Sequence, residues 1–478
     1  MNTPIFDFVR ANAIKNPVRF HMPGHKGNRF LGVESWDITE IAGADELYVA
    51  DGIIGESERN AASLFGSGKT LYSTEGSSQC IRAMLYLAAV AAKSEGRKTV
   101  LAARNAHKTF LYALALCDLD VAWLTPEDSG SLCSCPLTAR DVEAALESAE
   151  AAPIAVYITT PDYLGGLLPV REIAGVCHRY GVPLLVDNAH GAYLKFLPES
   201  LHPMDAGADL CCDSAHKTLP VLTGGAYLHI GKTAPQGFAE NAKVAMALFG
   251  STSPSYLTLC SLDLCNRYLT GQFCAKLYKG AERTDKARSL MTENGWQVLE
   301  NTEPMKLTLL APEGLDGTEI ADLLRRANIE CEYADKEHVV LMPSSETKTT
   351  DLQKLVTALG KNKLPLREPF PFTLPPAKVA MTVREAIFSP AETVPVEKAL
   401  GRVCAHGFLP PRHSDCDIGR DHRPGKTGAF PALRCKNRVG SGNIKGTLRT
   451  PGSDSLSVEY RAIKQQKSLL PQEKAFLL

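Results

Sequence analysis

Apolar positions along the first half of the chain recur with two alternating periods. Thr99–Ala103, Val121–Leu124, Ile154–Ile158, Pro183–Val186, Ala208–Cys212 and Ala226–Ile230 are short, nearly continuous apolar runs with the length of buried strands. Stretches of helical period separate several of them. The clearest begins at Ser77-Ser78 and carries Ile81, Met84, Leu85 and Ala88 at i, i+3, i+4 and i+7, and a second runs from Val170 to Tyr180 and stops at Gly181. This alternation from about residue 70 to 230 predicts an α/β fold: a mostly parallel sheet with helices on both faces.

Beyond about residue 275 the pattern restarts on a smaller scale, which predicts a smaller C-terminal α/β domain. Strand-like runs lie at Lys306–Leu310 and Val339–Met342, with helical stretches at Glu319–Arg326 and Asp351–Gly360. Pro365, Pro369, Pro371, Pro375 and Pro376 are too dense for regular structure and read as a connector. The expected organisation is an N-terminal arm at 1–55, a large domain at 56–274, a small domain at 275–408 with its proline-rich joint near 363–376, and a tail at 409–478. That tail holds 13 Lys+Arg against 6 Asp+Glu, so it carries +7 while the rest of the chain carries −8. So abrupt a shift, with little apolar periodicity, predicts a flexible tail or one replaced by a change of reading frame.

Composition narrows the class. With 478 residues, 44% hydrophobic, and a net charge of −1, the chain is expected to be a soluble globular protein rather than a disordered or nucleic-acid-coating one. No apolar run is long enough to cross a bilayer, and Met1–Arg10 has no apolar segment behind a positive start. Fourteen cysteines are scattered, and neither Cys133-Ser134-Cys135 nor Cys211-Cys212 has the spacing of a zinc clip, so reduced thiols in a cytoplasm are expected.

Two short segments carry the chemistry. The run Leu184–Val186 ends in the acid Asp187, followed by Asn188-Ala189-His190-Gly191, and thirty positions after Asp187 comes Lys217 in Ser214-Ala215-His216-Lys217-Thr218. One crossover separates them, so both can reach the same edge of a parallel sheet. An amine able to form a Schiff base and a carboxylate able to keep a pyridine nitrogen protonated are the two ends of a pyridoxal phosphate site. A lysine beside a histidine is ordinarily a solvated surface pair. Here the flanking apolar runs and Gly224-Gly225 put it on a tight loop between buried strands, where desolvation favours a neutral amine.

Gly76-Ser77-Ser78 adds a glycine and two hydroxyls at a helix N-terminus, a plausible phosphate cup, although a plain serine cap has the same appearance. The nearby Gly66-Ser67-Gly68-Lys69-Thr70 ends like a nucleotide-binding loop, but Ser63 occupies its first glycine position and no helix follows. His107 follows a strand and can present a flat ring to an aromatic cofactor, or simply be a hydrogen-bonded loop residue. His21 and His25 are separated by Pro23 and Gly24, which break the helix that would align them, so no metal site is expected.

Taken in order, FHMPGHKG (20–27), STEGSS (73–78), RNAHKT (104–109), TTPDYLG (159–165), DNAHGA (187–192) and SAHKT (214–218) resemble the pyridoxal-phosphate-dependent ornithine/lysine/arginine decarboxylases. These have the aspartate-aminotransferase-like fold, fold type I, and the likeness is to their short form without an N-terminal wing domain. Residues 381–403 are similar to the family's C-terminal region, whereas the last seventy residues depart from it. The resemblance implies that Lys217 carries the cofactor, that His216 lies by the reacting centre, and that Asp187 partners the pyridine nitrogen. It further implies that His107 stacks on the ring, that Gly76, Ser77, Ser78 and Ser214 hold the phosphate, and that His190 lies near the ring's polar edge.

The implied reaction is decarboxylation of arginine, lysine or ornithine to the amine and carbon dioxide, with each turnover consuming a proton and so feeding polyamine supply or acid resistance. The alternatives are another fold type I enzyme, an aminotransferase or lyase, and a catalytically silent homologue with a binding role. A homodimer or larger assembly is implied, with no membrane and no nucleic-acid partner. Asp45, Glu46 and Glu56 are candidates for reading the distal head group from a neighbouring subunit.

Overall fold

The computed structural model describes residues 1–92, 96–126, 131–300, 302–368, 379–394 and 460–463. Its main sheet has seven strands: β1 (Lys69–Ser73), β2 (Thr99–Ala103), β3 (Asp120–Leu124), β4 (Ala155–Thr159), β5 (Leu184–Asp187), β6 (Leu210–Asp213) and β7 (Ala226–Ile230). Their order is β1-β7-β6-β5-β4-β2-β3. β2 to β6 run parallel, and β7 is antiparallel to both neighbours. The central strands β5, β6 and β7 are buried throughout, which is why they read as continuous apolar runs rather than alternating ones.

The helices are α1 (Pro4–Lys15), α2 (Ile53–Phe65), α3 (Ser77–Ala92), α4 (Lys108–Cys117), α5 (Ala139–Ser148), α6 (Val170–Arg179), α7 (Pro203–Ala206), α8 (Ala215–Thr218), α9 (Phe238–Leu248), α10 (Tyr256–Leu269), α11 (Phe273–Glu293), α12 (Gly317–Arg326), α13 (Thr349–Leu359) and α14 (Val383–Phe388). α3, α4 and α9 share one apolar cluster with the sheet, and α5 and α6 share another, so both faces are covered. α6 does this with Val170, Ile173, Ala174, Val176 and Cys177. α3 departs from a simple amphipathic helix. Cys80, Ala83 and Leu87 are buried along with the expected Ile81, Met84, Leu85 and Ala88, because α3 lies between the sheet and two other helices.

β1 was not legible in the apolar pattern; it is the segment that follows Gly66-Ser67-Gly68, and its strand conformation excludes a nucleotide-binding loop there. α1, α2 and α10 form a third cluster around Tyr72, Tyr227 and Tyr256.

A second sheet, all antiparallel, has the order β10-β11-β9-β8, with β8 (Gln297–Val298), β9 (Leu307–Leu310), β10 (Tyr333–Ala334) and β11 (His338–Leu341). α11, α12 and α13 close over it around Met291, Leu309, Ile320, Leu324 and Leu355. Of the proline-rich joint only Pro365 is described, its carbonyl accepting from Glu313 N at 3.0 Å; Pro369, Pro371, Pro375 and Pro376 lie outside the described residues. So does the 409–478 tail, apart from β13 (Tyr460–Ile463), which pairs antiparallel with β12 (Ala391–Val394). Among the described residues no helix is long and apolar enough to cross a membrane, and every described cysteine is a free thiol.

Candidate active site

β2, β4, β5 and β6 all end at one edge of the main sheet, and the chain leaving each of them carries one of the motifs. Lys217 was expected on a loop. It stands instead on α8, a single helical turn whose N-cap is Ser214, inserted between β6 and the antiparallel β7. The turn is held by Lys217 N donating to Ser214 O (3.0 Å) and Leu219 N to Ala215 O (2.8 Å).

Lys217 Nζ lies 2.9 Å from His190 Nε2. Asp187, at the end of β5, is 2% exposed and receives Tyr157 OH (3.1 Å), Ala189 N (3.2 Å) and the Cys212 thiol (3.6 Å). Burial raises the Asp187 carboxyl above the ordinary range, and Lys217, whenever it carries a proton, pulls it partly back, as do the donors from Ala189, Tyr157 and Cys212.

The hydroxyls form a second group beside the first. Ser214 Oγ donates to Ser77 Oγ at 2.7 Å, and Ser78 Oγ is 3.2 Å from Thr109 Oγ1. Thr109 in turn lies 3.0 Å from His107 Nδ1, and the same nitrogen caps α4 by accepting from Thr109 N at 3.3 Å. His107 Nδ1 is therefore an acceptor, and in the neutral ring Nε2 carries the hydrogen. Gly76 has φ +73, which only glycine adopts without strain, and a Cβ there would sit 3.9 Å from His216 Cε1. His216 Nδ1 is 3.0 Å from the Gly225 carbonyl, an acceptor, so Nδ1 is protonated. The first turn of α3, which starts at Ser77, presents amides that have no acceptor within the helix. All nine residues singled out from the sequence, Gly76, Ser77, Ser78, His107, Asp187, His190, Ser214, His216 and Lys217, thus line one edge of the sheet.

Several residues at this edge gave no local signal. Lys306 is fully buried and points from just before β9 into the main-sheet site, with Nζ 2.9 Å from His190 Nδ1 and 3.5 Å from Glu303 Oε1. Glu303 is also buried; its other oxygen accepts from Tyr193 OH and from Met305 N (2.8 Å). Tyr163 packs edge-on against His190 at 5.1 Å between centroids, and its OH donates to Glu332 at 3.0 Å. Behind α8, Asp213 accepts from Asn188 Nδ2 (2.6 Å), His202 Nε2 (2.9 Å) and His229 Nε2 (3.1 Å). Burial alone would raise its carboxyl, but the two histidines outweigh that and hold it well below the usual range. His202, Cys211 and Asp213 are near enough together to offer a metal three ligands, a group the sequence did not suggest.

Asp45, a candidate head-group reader, holds the start of α2 within its own chain: its Oδ2 accepts from Gly52 N (3.0 Å), Ile54 N (2.8 Å) and Gly55 N (3.3 Å). Glu56 hydrogen-bonds the Asn2 side chain, and Glu46 is exposed.

The model of the family described as Orn/Lys/Arg decarboxylase, major domain, matches residues 3–308. This chain belongs to that family. As a family member it is a decarboxylase of a pyridoxal-phosphate-dependent group. It is 30% identical over 441 residues to an arginine decarboxylase of Halalkalibacterium halodurans, covering 85% of this chain and 88% of the relative. It is 29% identical over 435 residues to the uncharacterized protein YaaO of Bacillus subtilis, covering 86% and 89%. Among solved structures, the constitutive lysine decarboxylase of E. coli superposes with a TM-score of 0.69 at 18% identity, over 84% of this chain and 73% of that one. An alanine–glyoxylate aminotransferase from Nostoc superposes with a TM-score of 0.52 at 16% identity, over 65% and 86%. These two likenesses establish the shared α/β fold. The family match ends two residues into β9, so it includes Lys306, and most of the second sheet lies beyond it.

Proposed function

We propose that this chain decarboxylates arginine, with lysine and ornithine as the alternatives, using pyridoxal phosphate held at the carboxyl edge of the main sheet. One observation carries the reading: a lysine amine, a histidine and a buried acid from adjacent strands meet beside a helix N-terminus ringed by serine hydroxyls. The residues fit the cofactor. Gly76, Ser77, Ser78 and Ser214 offer a glycine-opened helix start with hydroxyl donors for a phosphate. The buried Asp187 offers an acceptor for a pyridinium N–H. Arginine is favoured among the three substrates by the relative at 30% identity, a named arginine decarboxylase.

Bound there, the cofactor supplies an electron-accepting ring that takes up the electrons of the carbon–carboxylate bond as carbon dioxide leaves. Three donors on Asp187 partly offset the burial that disfavours its charge, and with a pyridinium N–H beside it the carboxylate would hold that ring proton in place. Lys217 Nζ would anchor the cofactor, and as a free amine it would be placed to move a proton at the reacting carbon. His216, its Nδ1 hydrogen committed to Gly225 O, exchanges protons at Nε2. His107, fixed by its cap on α4, presents a rigid ring to stack on the cofactor. The replaced carboxylate consumes one proton per turnover, which suits polyamine supply or acid resistance in a cytoplasm.

A homodimer completes the reading. Phe20, Phe30 and Leu31 in the N-terminal arm are 95%, 78% and 89% exposed, an apolar surface of the kind a second copy covers.

The test is incubation of the purified protein with pyridoxal phosphate and each basic amino acid, following carbon dioxide and amine. Agmatine with stoichiometric carbon dioxide is expected. A keto acid without carbon dioxide would overturn the assignment in favour of an aminotransferase, and a Lys217→Ala protein that still binds the cofactor covalently would remove the anchor.

A further inference from the structure

His190 stands between two amines, Lys217 Nζ at its Nε2 and Lys306 Nζ at its Nδ1, each 2.9 Å away. A neutral imidazole has one donor nitrogen and one acceptor, and an ammonium can only donate. Two ammonium groups therefore cannot both be satisfied by one neutral histidine. The surroundings decide which amine is charged. Lys306 is fully buried with the carboxylate of Glu303 at 3.5 Å, and Glu303 is itself fixed by Tyr193 OH and Met305 N. A buried carboxylate this close requires its cation. Lys306 then donates to Nδ1, the ring hydrogen moves to Nε2, and Nε2–H meets the lone pair of Lys217.

We propose that Lys306, reaching across from the second sheet, is a positioning residue that fixes His190 as its Nε2–H tautomer and so keeps Lys217 as the neutral, nucleophilic amine. The proposal rests on the reading of Lys217 as the cofactor's anchor. Lys306 takes no part in bond making, and being fully buried it is closed to substrate. Its own position is fixed: Arg288 Nη2 holds its carbonyl at 2.9 Å, and Gly165 packs so closely that a Cβ there would meet Lys306 Cδ at 3.2 Å. Among the described residues, the acidic groups near the pair include Asp187 on the Lys217 side, and Glu303 and Asp162 on the Lys306 side. This also gives the TTPDYLG motif a task, since its Asp162, Tyr163 and Gly165 border Lys306 and His190.

The test follows covalent capture of pyridoxal phosphate by the cofactor-free full-length protein as a function of pH, read by absorbance. Lys306→Met keeps the side chain's length without the charge. Losing a neighbouring cation, and freeing Nε2 to accept, both favour the Lys217 ammonium. The pH of half-maximal capture rate should rise by about one unit, with capture about tenfold slower at pH 7 and still complete at high pH. An unchanged midpoint overturns the proposal while leaving the Lys217 assignment intact. Failure of the parent protein to capture the cofactor, or undiminished capture by Lys217→Ala, overturns both. Should Lys306→Met not fold, 15N shifts of histidine-labelled parent protein decide: an Nε2–H His190 supports the proposal, and an Nδ1–H or doubly protonated ring refutes it.

Discussion

Asp187→Asn separates the acid's chemical duty from any structural one. Asp187 receives Tyr157 OH on one oxygen, and Ala189 N with the Cys212 thiol on the other. In the variant the amide oxygen keeps the latter two, and Nδ2 replaces the oxygen facing Tyr157. The tyrosine hydroxyl can rotate to accept and turn its own hydrogen toward Thr159 Oγ1, so at most the second Nδ2 hydrogen lacks an acceptor. The charge removed is one that burial already disfavours. The unfolding free energy of the cofactor-free protein should therefore stay within about 1 kcal/mol of the parent, measured by urea denaturation. Activity should not survive equally well. Without an anion beside the pyridine nitrogen the ring loses its proton and its electron-accepting power, and a preorganised charge of this kind contributes about 4 kcal/mol to the barrier, or about a thousandfold in kcat. Carbon dioxide release under saturating cofactor is the assay. A stable variant with activity within tenfold of the parent would refute the role of Asp187, and a collapse in stability would refute the hydrogen-bond accounting.

Three further outcomes follow from the same geometry. Ser214→Ala removes the hydroxyl that bridges to Ser77, so pyridoxal phosphate affinity in a spectroscopic titration should fall about tenfold while the melting temperature holds. Gly165→Ala adds a Cβ at φ +104 and 2.9 Å from Thr302 Cβ, and should lower stability by about 2 kcal/mol in urea denaturation. Burial raises the Asp263 carboxyl to about 6 from its ordinary 3.8. Between these two values the unfolded chain has released a proton the folded one retains, so this contribution is fully present below pH 4 and lost as pH rises to 6. It amounts to about 3 kcal/mol, and Asp263→Asn should flatten the stability–pH curve across that window by a comparable amount.

Local chemistry in the sequence was enough to mark β2, β4, β5, β6 and β7, because strands buried on both faces leave unbroken apolar runs bounded by Gly, Asp and Asn. It also pointed to Asp187 and Lys217, since parallel strands deliver whatever follows their last residue to a common edge, whereas Ser214 and His216 were named only through the family resemblance. Lys306 and Glu303 stayed hidden. Their neighbours His190 and Tyr193 lie 116 and 110 positions away, and an amine at the head of an apolar strand looks like an ordinary solvated residue until the fold buries it. Asp45 shows the same limit: an acid in a polar loop gives no sign that backbone amides of Gly52, Ile54 and Gly55 will occupy its oxygen. Periodicity reports which face of an element is dry, and spacing reports what shares one sheet edge. Which charges meet across two sheets, and which lone pair each histidine nitrogen must keep, depends on contacts between residues far apart in the chain.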